Sequence, residues 1–199
     1  MSATRSLVVA SNNAGKLREF RELLEPLAWE LTAQADHGIS AAEETGLTFV
    51  ENALLKARAA CLGSGLPALA DDSGLAVTAL GGAPGIYSAR YSGAQGDDRA
   101  NNEKLIEALA DIPEGQRGAQ YHCVLVYMRH AEDPVPIIVQ GSWPGEILSL
   151  PRGEGGFGYD PLFWVPEQGS SVAELSPELK NRISHRGRAL SALLEQLER

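Results

Sequence analysis

The chain has 199 residues, 44% of them apolar, so it can bury a proper core, and its length fits one domain or one domain with a lobe. A formal net charge of -9 disfavours a general polyanion binder, because nucleic-acid modules usually carry a basic face, yet it leaves room for an anionic small molecule wherever basic residues gather. No stretch of about 18 apolar residues offers a membrane span, and the few small and apolar residues after Arg5 are too short for a signal-peptide core.

In chain order, Leu7 to Ala10 predicts a buried strand, and "ASNNAGKLREF" at 10 to 20 leads from it into a helix over 16 to 27, with Leu17, Phe20, Leu23, Leu24 and Leu27 at helical spacing. Trp29 to Gln34 predicts a second strand, so the chain begins as α/β. After a loop holding Glu43 and Glu44, residues 48 to 62 place Phe49, Ala53, Leu54, Ala57 and Cys61 on one helical face, with Thr48 as a cap and "GSGLP" as the stop. Leu66 to Ala70 predicts a short strand running into Asp71-Asp72-Ser73-Gly74, which reads either as a turn or as two carboxylates at the strand's C-terminal edge, where open α/β sheets place ligands. The glycine-rich stretch 80 to 93 reads as a shaped surface loop. Residues 98 to 110 predict a helix, Tyr121 to Arg129 an apolar strand, and Val135 to Gln140 its hairpin partner. Residues 149 to 166 fit neither helix nor strand. Ser176 and Pro177 cap and begin a helix, Gly187 in Ser184-His185-Arg186-Gly187 suggests a bend, and a last helix from about Arg188 carries Leu190, Leu193, Leu194 and Leu197 on one face. Cys61 and Cys123 lack metal-ligand spacing and read as buried thiols, which fits a reducing cytoplasmic setting.

The stretch at 10 to 20 is not a P-loop: Leu17 follows Gly15-Lys16 where Ser or Thr is required, and Ala10 stands at the first glycine. Asn12 and Asn13 read as helix caps on the plain view. Lys16 argues for more, since a cation in the first turn opposes the helix dipole unless an anion sits there, and N–H groups, amides and a lysine together suit a phosphate. Glu43, Glu44, Asp71 and Asp72 are scattered acids, which is the expected pattern for Mg2+ held by one or two carboxylates, waters and substrate phosphates. Lys180, Arg182, His185, Arg186 and Arg188 crowd together, either as a solvated basic face or as donors aimed at a ligand. Among the glycines at 155, 156 and 158, Phe157 and Tyr159 read as loop core or as a surface on which a flat ring stacks, and Asp160 as a turn acid or a ligand contact.

Taken in order, "SNNAGK" at 11 to 16, "AEETGLTFVENALLKA" at 42 to 57, "ADDSGL" at 70 to 75, "GGAPGIYSARYSG" at 81 to 93, "GGFGYDP" at 155 to 161 and "SHRGRAL" at 184 to 190 resemble the inosine triphosphate pyrophosphatases, in particular their bacterial dITP/XTP branch. The resemblance covers almost the whole chain and departs from the usual pattern at Ser11-Asn12, where Thr-Gly or Thr-Ser is common. It implies one two-lobed domain over 1–199, a mixed twisted β-sheet flanked by helices with a second lobe, and an active-site cleft between the lobes. It further implies a homodimer with no nucleic-acid or membrane partner, and Mg2+-dependent hydrolysis of deaminated purine nucleoside triphosphates (dITP, ITP, XTP) to the monophosphate and pyrophosphate. One Mg2+ per subunit is implied without triphosphate, and more with it. Residue by residue, Ser11, Asn12, Asn13, Ala14, Gly15 and Lys16 match the triphosphate loop, Glu43 and Asp72 the metal-linked acids, Asp72 the proton acceptor, Lys56 a cleft lysine and Ser73 a substrate contact. Phe157, Gly158, Tyr159, Asp160, Lys180, His185 and Arg186 match the base-recognition set.

The residues support attack of water on the α-phosphorus, with the metal and Asp72 preparing the water and Lys16 and Lys56 stabilising the departing pyrophosphate. An aspartate at its reference pKa of about 3.9 is a weak base unless Asp71 or burial raises it. Donors from Lys180, His185, Arg186 or backbone N–H groups would accept a 6-oxo purine and leave adenine with unpaired groups. A pyrimidine-directed pyrophosphatase would share the phosphate loop and acids without "GGFGYDP" and "SHR". A non-catalytic nucleotide sensor has no need of the acids at 43 and 72.

Overall fold

The computed structural model describes residues 5–24 and 28–198. Among them, seven strands form one sheet in the order β2-β1-β3-β4-β5-β6-β7. β1 (Arg5–Val9) pairs in parallel with β2 (Trp29–Ala33) and with β3 (Ala68–Val77), whereas β6 (Phe163–Val165) pairs antiparallel with β5 (Ile137–Ile147) and with β7 (Ser170–Ser171), so the sheet is mixed. β4 is Gly118–Met128, and the α-helices are α1 (Ala14–Leu24), α2 (Phe49–Ser64), α3 (Asp98–Ala108), α4 (Pro177–Ile183) and α5 (His185–Leu197). The α/β class expected from the sequence is the class observed. The chain divides into two compact units, the first Met1–Asp72, Val124–Gln140 and Ala189–Arg199, the second Ser73–Cys123 and Gly141–Arg188.

In the first unit, α1 starts at Ala14, two residues before the expected 16, and residues 25 to 27, including Leu27, lie outside the described residues. α2 runs from the Thr48 cap, whose side chain accepts the Glu51 N–H, to Gly65, whose left-handed backbone ends it, as the capping residues predict. Its buried Ala53, Ala57, Ala60 and Cys61 join Val8, Ala68, Ala70, Val124, Val126 and Met128 in one cluster. Alanines on that face let the helix backbone come close to the strands, since small side chains shorten the packing distance. Cys61 and Cys123 are buried and neither forms a disulfide, and burial pushes the Cys61 thiol above its ordinary pKa.

One expectation fails instructively. Asp71-Asp72-Ser73-Gly74 is neither a turn nor a strand end: β3 continues through it to Val77. Leu75 and Val77 are fully buried in the core, so tertiary pairing and packing override the turn chemistry of the sequence. The carboxylates still lie just past the end of a strand, that of β1, because Val9 registers with Leu69 and the Ala10 N–H bonds the Leu69 carbonyl at 2.9 Å.

In the second unit, Tyr121, Trp143, Phe163, Leu105 and Leu162 build the core. α4 has Ser176 as its cap and Pro177 at its start, as predicted. The bend expected at Gly187 falls instead at Ser184, the extended C-cap of α4, and α5 begins at His185 rather than near Arg188. Gly187 sits in the first turn of α5 because a Cβ there would run into the Asn181 carbonyl oxygen. The glycine serves close approach of chain segments and does not interrupt the helix.

Candidate active site

In the first unit the site grows from the turn after β1 and from the middle of β3. Ser11 Oγ accepts the Asn13 N–H at 3.1 Å, and Asn13 Oδ1 accepts the Lys16 N–H at 3.0 Å, so Asn13 caps α1. Asn12 Oδ1 accepts from Gln34 at 3.2 Å, so the two asparagines are used separately rather than converging on one spot. Ala14 is exposed, Gly15 half-buried, and Lys16 extends its ammonium to Asp71 in an ion pair.

Successive strand residues point to opposite faces, and the two aspartates accordingly take different lysines. Asp71 takes Lys16 from α1. Asp72 takes Lys56 from α2 at 2.6 Å, and Lys56 also holds Glu44 at 3.0 Å. Burial works against charge on Lys56, but Asp72 and Glu44 outweigh it and hold the ammonium above its ordinary value. Asp72 behaves differently. Burial pushes its carboxyl up despite opposition from Lys56 and, more weakly, Lys16, with Glu44 adding to the rise. The base strength that the sequence left open between Asp71 and burial therefore comes from burial. Glu43 lies exposed, and the acid that reaches Lys56 is its neighbour Glu44.

Asp72 Oδ1 is held by Lys56, while Oδ2 is buried without a hydrogen-bond partner. An unpaired buried carboxylate oxygen is costly, and a hard cation or an activated water satisfies it. No group of three or more His, Cys, Asp or Glu among the described residues makes an all-protein metal cage. Mg2+ needs none, since it binds through one or two carboxylates, waters and substrate phosphates. The residues present fit that ion.

In the second unit, buried Asp160 is the hub. Its Oδ2 accepts the Phe157 N–H at 2.9 Å and Lys180 Nζ at 2.7 Å, and its Oδ1 lies 3.5 Å from the Tyr121 hydroxyl. Gly156, at φ 77°, has no space for a side chain, because a Cβ there would fall on the Asp160 carboxylate. Lys180 Nζ stands 4.5 Å from the centre of the Phe157 ring. The His185 ring stacks on Tyr121 at 4.6 Å with an interplanar angle of 6°. Arg186, almost wholly buried, donates to Ser73 Oγ at 3.0 Å. Tyr159 is core: its hydroxyl donates to the Ser88 carbonyl at 2.8 Å, and burial pushes the phenol well up.

A profile of the Ham1 family matches residues 7–196. The chain is 60% identical to a dITP/XTP pyrophosphatase of Shigella flexneri and 58% identical to that of Escherichia coli K12, in each case over 97% of this chain and 98% of the other. The solved structure of a HAM1 protein from Coxiella burnetii superposes with a TM-score of 0.89 at 48% identity, covering 98% of both chains.

The chain belongs to the Ham1 family. The resemblance drawn from its motifs is thereby borne out, and so is the mixed α/β architecture.

Several partners of these Ham1 residues had no sequence signal. Asp98 Oδ2 accepts the Gly158 N–H at 2.7 Å and Asn102 donates to the Gly158 carbonyl at 2.8 Å, across 60 and 56 residues of chain. The peptide N–H groups of Phe157 and Gly158 are thus committed to Asp160 and Asp98, so side chains rather than these amides remain as donors to a base. The stack of Tyr121 under His185 was equally hidden. The division of Asp71 and Asp72 between two lysines could have been anticipated had residues 71 and 72 been read as strand, because period-2 alternation separates them.

Proposed function

We propose that this chain hydrolyses the deaminated purine nucleoside triphosphates dITP, ITP and XTP to the monophosphate and pyrophosphate, using Mg2+. It works as a homodimer in the cytoplasm, with no nucleic-acid or membrane partner, and clears the nucleotide pool of bases that polymerases would otherwise use. Relatives named dITP/XTP pyrophosphatases at 58–60% identity along nearly the whole chain support the reaction class. The observation that carries the chemistry is Asp72: a buried carboxylate with one oxygen held by Lys56 and the other unpartnered.

Asp72, with the exposed loop residue Glu43, would hold Mg2+, which when bound would supply charge neutralisation for the triphosphate. The Asp72 carboxylate orients the water that attacks the α-phosphorus and takes its proton. Burial makes it a stronger base than an exposed aspartate. Lys56 fixes the rotamer of Asp72 and keeps its own positive charge, and with Lys16 it compensates the charge that builds on the departing pyrophosphate. Ser11 to Lys16 supply the capped turn and the helix N-terminus that suit a phosphate.

For a purine base, Phe157 offers a ring face and Lys180, His185 and Arg186 offer donors, with Ser73 held by Arg186. A 6-oxo purine accepts at position 6 and donates from N1, whereas adenine presents the reverse pattern. A buried site built on donors leaves adenine with unpaired groups, a mismatch that reaches about 10⁴ in discrimination.

Hydrolysis of dITP in ¹⁸O-labelled water tests the reaction directly. Attack at the α-phosphorus places the label in the monophosphate and leaves the pyrophosphate unlabelled. Label in the pyrophosphate, or release of single phosphates, would contradict the proposal.

A further inference from the structure

The Phe157 ring is carried by a segment of low intrinsic order, "GEGGFGYDP", with glycine on both sides of the aromatic. Such a segment holds a ring in one place only if its peptide groups are fastened. Two kinds of fastening are present. From within the loop, Asp160 accepts the Phe157 N–H at 2.9 Å. From outside it, the first two turns of α3 grip the next residue: Asp98 Oδ2 accepts the Gly158 N–H at 2.7 Å, and Asn102 Nδ2 donates to the Gly158 carbonyl at 2.8 Å.

The Asp98 side chain is not spent on its own helix. Asp97 is the cap of α3 and accepts the Ala100 N–H, which leaves Asp98, one residue on, to reach the loop. Asn102, one turn later, donates both to the Asp98 carbonyl and to Gly158, so the two residues form one clamp. Both backbone polar groups of Gly158, one from each flanking peptide unit, are thereby occupied, and the loop cannot rotate about that residue without giving up a charge-assisted bond.

We propose that Asp98, assisted by Asn102, is a positioning residue for base recognition: it fixes the peptide beside Phe157 so that the ring meets the purine in a single orientation. The inference rests on the functional reading above. It assigns Asp98 no contact with the substrate; its effect passes through Gly158 to the ring. A pre-ordered ring lowers the entropy cost of binding the base, so loss of the clamp weakens binding and leaves the phosphate chemistry intact.

The test is steady-state hydrolysis of dITP by wild type, Asp98→Ala, Asp98→Asn and Asn102→Ala, with melting curves and pyrophosphate inhibition measured alongside. Asp98→Ala is expected to raise KM about fivefold with kcat within about twofold and inhibition by pyrophosphate unchanged, the loss being that of one charge-assisted hydrogen bond at an exposed position. Asp98→Asn keeps an acceptor oxygen in the same place and is expected to restore KM to within about twofold of wild type. Asn102→Ala removes the other half of the clamp from a different position, and its KM is expected to rise as well. A wild-type KM in both alanine variants, or a fall in kcat with KM unmoved, would overturn the proposal. Wild-type protein that leaves dITP intact would instead overturn the functional reading itself.

Discussion

Replacing Asp160 by Asn tests whether the second-unit site is organised by a buried charge. The carboxylate's side chain is 5% exposed and that of its partner Lys180 is 9% exposed, so neither can turn to water when the other is lost. Asparagine preserves the shape and one acceptor, enough for the Phe157 N–H, but it removes the negative charge that Asp160 sets against the Lys180 ammonium beside an aromatic ring. Breaking a buried pair by removing one partner costs about 3–5 kcal/mol, and because the amide oxygen keeps one hydrogen bond the lower end applies, about 3 kcal/mol. Urea denaturation of Asp160→Asn, Lys180→Met and the double variant measures it. The single Asn variant is expected to lose about 3 kcal/mol, and the double to lose less than the sum of the singles by about 2 kcal/mol, because removing both charges removes the imbalance between them. A loss below about 0.5 kcal/mol for Asp160→Asn, or additivity of the two singles, would refute the picture of a charge-organised site.

Because burial raises Asp72, its carboxyl is expected to titrate above the ordinary aspartate value of 3.8 in the metal-free protein, and Lys56→Met, which removes the main force opposing that rise, is expected to move the titration to still higher pH; an NMR titration that stays in place in the variant would contradict the assignment. Asp72→Asn is expected to lower kcat by at least about 10²-fold, within the usual range for losing a general base, and turnover within a few-fold of wild type would sink its catalytic role. Arg129 and two backbone N–H groups hold the Asp133 carboxyl far below its ordinary value, so the ionised form contributes stability above about pH 3.8 that is lost as pH falls further; the stability gap between wild type and Asp133→Asn is expected to close on acidification, as followed by denaturation at several pH values. Gly187→Ala drives a Cβ against the Asn181 carbonyl and is expected to destabilise by about 2 kcal/mol in the same assay, where an unchanged midpoint would deny the close approach.

Local structure was legible from the sequence in both units. Helix ends marked by Thr48, Gly65, Ser176 and Pro177 were visible because capping is local chemistry, decided within about four residues. The course of β3 was not, since whether "DDSG" turns or extends depends on the strands beside it. The site divides in the same way. Lysines and acids could be named from their motifs, but Lys16 with Asp71 and Lys56 with Asp72 could be paired only when the register of β1 on β3 was known. Asp98 gave no signal at all, because an acid in the first turn of a helix is ordinary there and its partner Gly158 lies 60 residues away.

The most direct measurement is pyrophosphate release from dITP, XTP, GTP and ATP side by side, with Mg2+ and again with a chelator. Release confined largely to dITP and XTP, and abolished by the chelator, is the expected result. Equal turnover of all four would contradict base selection by the Phe157, Lys180, His185 and Arg186 set, and release that survives the chelator would contradict the role given to Mg2+ at Asp72.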